Sequence, residues 1–398
     1  MEDESTNYAK IAAGVGNIVN RGTDIGLVDI NHSSMTFEPD IDNNRIMFGM
    51  RALTGVNDDT CQQIIGNRPY SSLRDFQDKN SKIGKIAMLS LIKGGAFDAF
   101  GDRQEIMWDY LRSRMGEKTR VTLTQVPTLF NNHCLPTSLN PCVGLYKFQR
   151  MLRRHKFKLD DPRLYDYYAA HFDLDSLVVC PEDNSMMMAR ENDWKKMFEQ
   201  HIKPLRAYLR EHQEELVTQL NAHLLQAEID KDASGSLAHW EMESLGTYWH
   251  DHELKPVKRG LYNIHEFDSL PKDPIVERYN KKYSIYQLCR VVGTVVGKDE
   301  THSSISLLTP TSGVINVKLT RERFSWYNRR VQEGDKVMEK GWFGKGTLLM
   351  VNGFRRDNMF ISKVYKRTPS HLLYRIIEVN KDGSVSMTPY RYGEEVIE

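Results

Sequence analysis

The thirteen residues from Leu53 to Ile65, L-T-G-V-N-D-D-T-C-Q-Q-I-I, constrain the fold of this chain more than any other stretch. Gly55 and Asn57 are residue types that tolerate positive φ, so the sequence predicts a tight turn here. Two acids then favour the start of a helix, and apolar residues follow at helical spacing. The pattern predicts a helix-hairpin-helix whose turn presents backbone N–H groups to a nucleic-acid phosphate. The residues expected at that contact are Thr54, Gly55, Val56 and Asn57. An ordinary helical hairpin is the alternative, because Asn57 replaces the second glycine of the usual pattern.

The neighbouring sequence favours the helix-hairpin-helix over an ordinary helical hairpin. The full order is D-I-N-x-S … F … I-x-F-G-M-x-A-L-x-G-V … I-I … L-x-D-F … L-x-x-L-I-x-x-G-A-F-D … R, and it starts at Asp29. It resembles the region after the fingers in the alpha subunit of bacterial DNA polymerase III, the C-family replicative polymerase. The resemblance covers about residues 17–111 and resumes further along the chain. It implies that the helix-hairpin-helix contacts the primer-template duplex through its backbone.

Composition excludes several classes of protein. The chain has 398 residues and a formal net charge of +1, so any affinity for a polyanion must come from local patches. The five cysteines share no metal-binding spacing and predict reduced thiols, with no metal site. The acidic N-terminus does not have the pattern of a signal peptide, and no apolar run approaches membrane length. A cytoplasmic protein with no membrane partner is therefore expected.

Residues 117–140 are rich in Thr and Pro and predict an extended linker. In the family that the chain resembles, a peptide at this place binds the sliding clamp through a Gln and a later Leu-Phe or Met-Phe pair. The corresponding residues here are Gln125, Leu129 and Phe130. Such peptides place Leu and Phe in an apolar pocket while Gln forms hydrogen bonds at its rim. Three residues stand between Gln and Leu instead of two, so an incidental Leu-Phe pair is an equal alternative.

Residues 141–283 predict a helical insertion followed by a helix that carries the resemblance again. Tyr146–Lys158 is a basic amphipathic segment, which favours a solvated helix face over a nucleic-acid contact. From Trp240 the chain follows the pattern E-x-E-x-L-G-x-Y of the same family, which implies a structural role. The acids and histidines at 239–253 could alternatively form a metal or acid-base site.

From Ser284 the hydrophobic pattern changes to alternation. Five short strands and a connector at 321–330 predict an OB-fold barrel over 284–367. The expected strands are 288–296, 304–308, 313–319, 336–343 and 348–354. A hairpin around Lys381-Asp382-Gly383 is expected in residues 368–398.

Charge in the predicted barrel favours binding of single-stranded DNA. Between Arg321 and Arg367 there are twelve Lys or Arg residues against five acids, with aromatic residues interleaved. Basic side chains and stacking platforms are what single-stranded DNA requires. The side chains expected at the surface are Arg329, Lys345, Arg355, Arg356 and Trp326. The alternative is that the aromatic residues fill the barrel core.

Together these patterns predict an α+β protein with residues 1–44 as the end of a fingers-like segment and 45–116 as the helix-hairpin-helix region. The resemblance implies the C-terminal, DNA- and clamp-binding part of a replicative polymerase, in a split or phage-type version. Three palm aspartates holding Mg²⁺ are not recognised here, so the chain is expected to need a separate catalytic half and to bind no cofactor itself. A stand-alone, non-catalytic DNA-binding or clamp-binding accessory protein is the alternative. An enzyme that uses the 239–253 cluster ranks far behind.

Overall fold

The structure is a computed structural model that describes residues 7–280, 283–365 and 370–393. The chain divides into two compact units, one formed by Met1–Met107 with Ala233–Glu398 and the other by Trp108–Asp232. The predicted α+β class is confirmed. The predictions for residues 1–6, for the end of the barrel segment at 366–367 and for the last five residues fall outside the described residues.

The α-helices are α1 (Tyr8–Asn20), α2 (Asp58–Gly66), α3 (Leu73–Lys79), α4 (Lys85–Lys93), α5 (Arg103–Met115), α6 (Val126–Asn131), α7 (Asn140–Arg154), α8 (Pro162–His171), α9 (Glu191–His201), α10 (Lys203–Glu211), α11 (Gln213–Asp232), α12 (Leu237–Leu245) and α13 (Arg321–Asn328). The strands are β1 (Asp24–Gly26), β2 (Glu38–Asp40), β3 (Arg45–Met47), β4 (Leu177–Cys180), β5 (Asp183–Ala189), β6 (Val276–Asn280), β7 (Tyr283–Tyr286), β8 (Cys289–Asp299), β9 (Ser304–Thr309), β10 (Gly313–Lys318), β11 (Val331–Glu333), β12 (Lys336–Glu339), β13 (Leu348–Arg356), β14 (Met359–Ser362), β15 (Leu373–Val379) and β16 (Val385–Thr388). Within the described part of the chain, no helix combines the length and apolar character needed to cross a bilayer.

The helix-hairpin-helix region occupies the N-terminal part of the first unit. The Ser72 hydroxyl accepts from the Asp75 N–H at 3.1 Å and so starts α3, which is an N-cap interaction. The fully buried Phe76 of α3 packs edge-on against Phe97, with ring centroids 5.0 Å apart. α4 packs on α12, where the hydroxyls of Ser90 and Ser244 lie 2.9 Å apart. Residues 154 positions apart therefore fix the region to a helix that follows the second unit in sequence.

The second half of the first unit contains a closed five-stranded barrel formed by β8, β9, β10, β13 and β14. β10 and β14 pair in parallel, β8 pairs antiparallel with β13, and α13 connects β10 to β13. This arrangement is an OB-fold, as the sequence predicted. The predicted strand at 336–343 is wrong as a barrel strand, because β12 pairs only with β11 among the described strands. The fifth strand is β14.

A hairpin extends the barrel sheet at β13. β15 pairs with Leu349–Val351, the first half of β13, and β16 pairs with β15. The turn predicted at Lys381-Asp382-Gly383 is confirmed, with Gly383 at φ +79°. The barrel core is built from alternating apolar side chains such as Val291, Leu307 and Phe360.

The second unit is mainly helical and includes the antiparallel pair β4–β5. Its core gathers residues of α6 to α11, with Trp194 and Leu164 fully buried. The extended linker predicted at 117–140 is wrong, because α6 and the start of α7 lie there. Pro127 and Pro141 stand in the first turn of these two helices, where the missing N–H of proline costs no intrahelical hydrogen bond.

Candidate nucleic-acid interface

The first hairpin turn joins a short 3₁₀ turn at Met50–Ala52 to α2. Gly55 has φ +75°, a value that favours glycine, and its neighbour Val56 is buried. The Asn57 side chain accepts a hydrogen bond from the Thr60 N–H at 2.9 Å and caps α2. The turn predicted from the sequence is therefore present, and Gly55 and Asn57 are its exposed residues.

Thr54 anchors this turn inside the protein. Its N–H donates to the Ser244 carbonyl at 3.0 Å, and its hydroxyl donates to the Glu243 carbonyl at 2.8 Å. The Lys345 ammonium donates to the same hydroxyl at 2.7 Å. The Val56 N–H is also occupied, by the Leu53 carbonyl at 3.2 Å. Two of the four residues predicted to contact DNA thus use their backbone N–H groups to hold the turn in place.

A second hairpin turn lies between α3 and α4, at residues 80–84. Gly84 is the N-cap of α4, with φ −70°, and no side chain caps the helix there. The first N–H groups of a helix have no partner within the helix, so a helix N-terminus suits an external acceptor. Lys82 of the turn is exposed. This turn is not among the predicted contacts, although K-I-G-K before a helical apolar pattern is a signal for it.

The two turns border one open groove of about 590 Å³. Gly55 and Asn57 line it from the first hairpin, and Lys82 and Gly84 line it from the second. A Cβ atom on Gly55 would lie 2.7 Å from the Ile86 side chain, so the two hairpins approach closely at this point. The groove can hold an extended phosphate-bearing strand against two helix N-termini.

The two sides of the groove differ in charge. Asp58 and Asp59 stand in the first turn of α2, and Asp58 pairs with Arg51 at 2.9 Å. The second turn carries Lys82 and leads into Lys85. Because like charges repel, a phosphate is better accommodated at the second hairpin than at the first.

The acid and histidine cluster at 239–253 is a structural network. Glu241 is fully buried and accepts from Arg103 at 2.9 Å, from the N–H of Trp249 at 2.9 Å and from the His250 ring at 2.7 Å. Burial lowers the pKa of His252 to about 4, which keeps its imidazole neutral against the Leu308 carbonyl. Within residues 7–280, 283–365 and 370–393, no three His, Cys, Asp or Glu side chains are grouped to hold a metal ion.

Two cations predicted at the barrel surface lie inside the protein, so that part of the prediction is wrong. Arg355 is 8% exposed and donates to the carbonyls of Phe267 and Leu270 at 2.9 and 3.0 Å. Besides Thr54, Lys345 donates to the Glu243 carbonyl at 2.7 Å, and burial lowers its pKa to about 8. Both side chains satisfy backbone carbonyls, which explains why they are retained in the interior.

Arg329, Arg356 and Trp326 have different surroundings. Arg329 and Arg356 are exposed, as predicted. The Arg329 guanidinium lies 3.8 Å from the centroid of the half-buried Trp326 ring, so this arginine already stacks on that ring. Most of the other aromatic residues of α13 and the following loop, including Phe324 and Trp342, fill the barrel core. A contact of these three residues with DNA stays a prediction.

The outer face of β9 and β10 borders a groove of about 600 Å³, which Ala9 of α1 also lines. Ser306 and Asn316 line it together with Lys298 and Lys318. This face of an OB-fold is the one that binds oligonucleotides in general. The two lysines of this groove fit contacts to phosphate.

The three residues predicted to bind a clamp belong to the second unit. The Gln125 side chain accepts from the Thr122 N–H at 2.9 Å in a capping box. Leu129 is fully buried in the core of the unit, and the half-buried Phe130 ring lies 4.4 Å from the Lys147 ammonium. Clamp binding by these residues stays a prediction, and it would require α6 to leave this position.

Comparison with known proteins agrees with the geometry. A family described as a helix-hairpin-helix motif matches residues 22–106. The chain is 37% identical over 410 aligned positions to a probable DNA polymerase, YorL, of Bacillus subtilis and to a DNA-directed DNA polymerase of Bacillus phage SPbeta. These alignments cover 97% of this chain and 31% of each relative. The chain is also 36% identical to the DNA polymerase III alpha subunit of Deinococcus radiodurans over 85 residues, which cover 20% of this chain and 6% of that subunit.

The chain therefore spans about a third of the length of the polymerases that match nearly all of it. The predicted resemblance to the C-family polymerase III alpha subunit is confirmed by these relatives and by the helix-hairpin-helix match.

Proposed function

We propose that this chain is the DNA-holding part of a C-family replicative polymerase. Its two hairpins hold the backbone of the primer-template duplex, and its OB-fold contacts the single-stranded template. Nucleotidyl transfer, with the Mg²⁺ that it needs, is supplied by a separate catalytic half. The relatives that carry the name DNA polymerase support this proposal, since they match almost the whole chain.

The observation that carries the proposal is the groove between the two hairpins. Gly55 and Gly84 place backbone without side chains on its opposite sides, and residues of the first turns of α2 and α4 line it. Contacts of this kind recognise phosphate without reading base sequence. That property suits a polymerase, which must hold every duplex that it makes.

The proposal is tested by Gly84→Ala. Gly84 has an ordinary φ of −70° and no atom within 4 Å of the added Cβ, so the substitution leaves the fold intact. The methyl group would stand in the groove and keep the phosphate from the α4 N-terminus. We expect affinity for a primed duplex to fall about tenfold, which corresponds to about 1.4 kcal/mol. Fluorescence anisotropy with labelled primer-template DNA measures this change.

The matched control is Gly66→Ala, at the opposite end of α2. Gly66 also has open space around its added Cβ, but it does not line the groove. We expect this variant to bind DNA as the unmodified chain does. Equal affinity of the two variants would show that the groove does not hold the duplex.

The division of labour is tested by co-expression. A polypeptide that carries a C-family palm and fingers should co-purify with this chain, and the complex should extend primers. Extension that is unchanged when Gly84→Ala replaces the unmodified chain would argue against a role in holding the duplex. The alternative, a stand-alone accessory protein, is supported if the chain binds DNA but no palm-containing polypeptide.

A further inference from the structure

The second unit is electrically neutral overall but strongly segregated in charge. Residues 108–232 contain eighteen Lys or Arg and eighteen Asp or Glu. Between Lys118 and Leu159, however, there are eight Lys or Arg and no acid at all. Six of these eight cations lie on α7 and the four residues that follow it. One part of the unit therefore carries a concentrated positive charge.

The fold turns these cations toward solvent. The opposite side of α7 is buried, where Phe148 packs edge-on against Trp194 with ring centroids 5.3 Å apart. Four exposed cations remain on the outer side, and we call them the basic face: Lys147, Arg150, Arg153 and Arg154. The core contacts fix the helix, so the basic face is held on a rigid element.

Several other cations of this unit have carboxylate partners. Arg190 pairs with Asp193 at 3.0 Å, Lys195 pairs with Glu191 at 2.7 Å, and Arg206 pairs with Glu199 at 2.7 Å. Among the described residues, no carboxylate forms an ion pair with the three arginines of the basic face. These three charges are thus available to an external anion.

The helix dipole explains only part of this arrangement. Cations in the last turn of a helix are stabilised by the negative end of the dipole, which accounts for Arg153 and Arg154. Lys147 and Arg150 precede that turn, where the dipole effect has faded. A stripe that extends over two turns of a helix is instead the charge pattern of a polyanion contact.

We propose that the basic face of α7 binds the phosphate backbone of DNA, as a contact separate from the two hairpins. Arginine guanidinium groups bind phosphates through paired hydrogen bonds, and such contacts carry no sequence preference. The proposal rests on the proposed function in one respect: DNA is the polyanion that this chain handles. It gives the second unit a role in DNA binding that is separate from the roles of the helix-hairpin-helix region and the barrel.

The test compares two triple variants of the full chain. Arg150→Gln, Arg153→Gln and Arg154→Gln together remove three charges from the basic face, while glutamine preserves helix propensity. The matched control, Arg190→Gln with Lys195→Gln and Arg206→Gln, removes three paired charges from the same unit. Affinity for duplex and for single-stranded DNA is measured by anisotropy between about 50 and about 200 mM salt.

Each lost phosphate contact reduces the slope of log affinity against log salt concentration by about 0.9 for duplex DNA and about 0.7 for single-stranded DNA. We therefore expect this slope to be smaller by about 2.7 in the basic-face variant if the face binds duplex DNA. If the face binds single-stranded DNA, we expect the slope to be smaller by about 2.1. Its affinity should fall at least tenfold at the lowest salt. The control variant should keep the slope of the unmodified chain. Replacing the same three arginines by lysine should restore most of the slope if charge is the cause.

The outcomes separate this proposal from the proposed function. If the basic-face variant binds with unchanged affinity and slope while Gly84→Ala binds weakly, the basic face contacts no DNA and only this proposal fails. Equal losses in both triple variants would also overturn it, since the effect would then be one of net charge. If the unmodified chain binds neither form of DNA, both proposals fail together.

Discussion

Replacing Glu241 by glutamine tests whether the buried network of the first unit holds the helix-hairpin-helix region to α12. Glu241 is fully buried and accepts hydrogen bonds from Arg103, His250 and two backbone N–H groups. The substitution preserves shape but removes the charge that Arg103 faces, and Arg103 is itself only 5% exposed. Breaking one side of a buried ion pair generally costs about 3–5 kcal/mol.

The lower end of that range applies here, because Asp98 continues to pair with Arg103 at 2.5 Å. We expect Glu241→Gln to reduce the stability of α12 by about 3 kcal/mol. Native-state hydrogen exchange of the α12 amides measures this quantity in the first unit alone. The expected result is faster exchange, by about a hundredfold, at the amides of α12 that open only when the unit unfolds.

The matched control is Glu243→Gln, two residues along the same helix. Glu243 pairs with Lys93 at 2.5 Å, but its side chain is 43% exposed. An exposed ion pair contributes about 0–1 kcal/mol, so this variant should exchange almost as the unmodified chain does. Equal effects of the two substitutions would refute the reasoning, since burial would then not decide the cost.

Two further results are expected. Between pH 8 and about pH 10.5 the folded chain has released the Lys345 proton, while the unfolded chain still binds it. The free energy of unfolding should therefore rise with pH across this window, by about 2 kcal/mol once the residual exposure of Lys345 is allowed for. Chemical unfolding of the Lys345→Met variant over the same pH range should lack this rise. Leu129→Ala should destabilise the second unit by about 2–5 kcal/mol, because Leu129 is fully buried. Faster hydrogen exchange of the α6 amides measures this loss. If the substitution instead removes binding to a sliding clamp and leaves exchange unchanged, the residue acts in clamp binding and not in the core.

The sequence predicted the elements whose signals are local. The first hairpin followed from Gly55 and Asn57, and the barrel followed from alternation bounded by turns. The fifth strand was misplaced because Met359–Ser362 is only four residues long and follows a turn in which Asp357 has φ +51°. Four residues are the least over which alternation indicates a strand, and M-F-I-S does not alternate strictly.

Other errors came from residue types that are common in two different structural settings. Proline favours both loops and the first turn of helices, so the segment that holds α6 was predicted to be extended. Arg355 and Lys345 were expected at the surface because charge favours exposure. Arg355 lies on β13, which is buried along most of its length, and Lys345 lies in the segment just before this strand. Only tertiary contacts show which cations satisfy internal carbonyls.

The anchoring of Thr54 also sets an order of events during synthesis. Its partner Ser244 follows it by 190 residues, and Lys345 follows it by 291. At a translation rate of about 5–20 residues per second, the first of these partners emerges about 10–40 s after the turn itself. The second unit lies wholly between Thr54 and Ser244 in sequence, so its internal contacts can form before the turn has its anchoring partners. The turn that borders the groove therefore gains these anchoring hydrogen bonds only after α12 and the segment before β13 have been made.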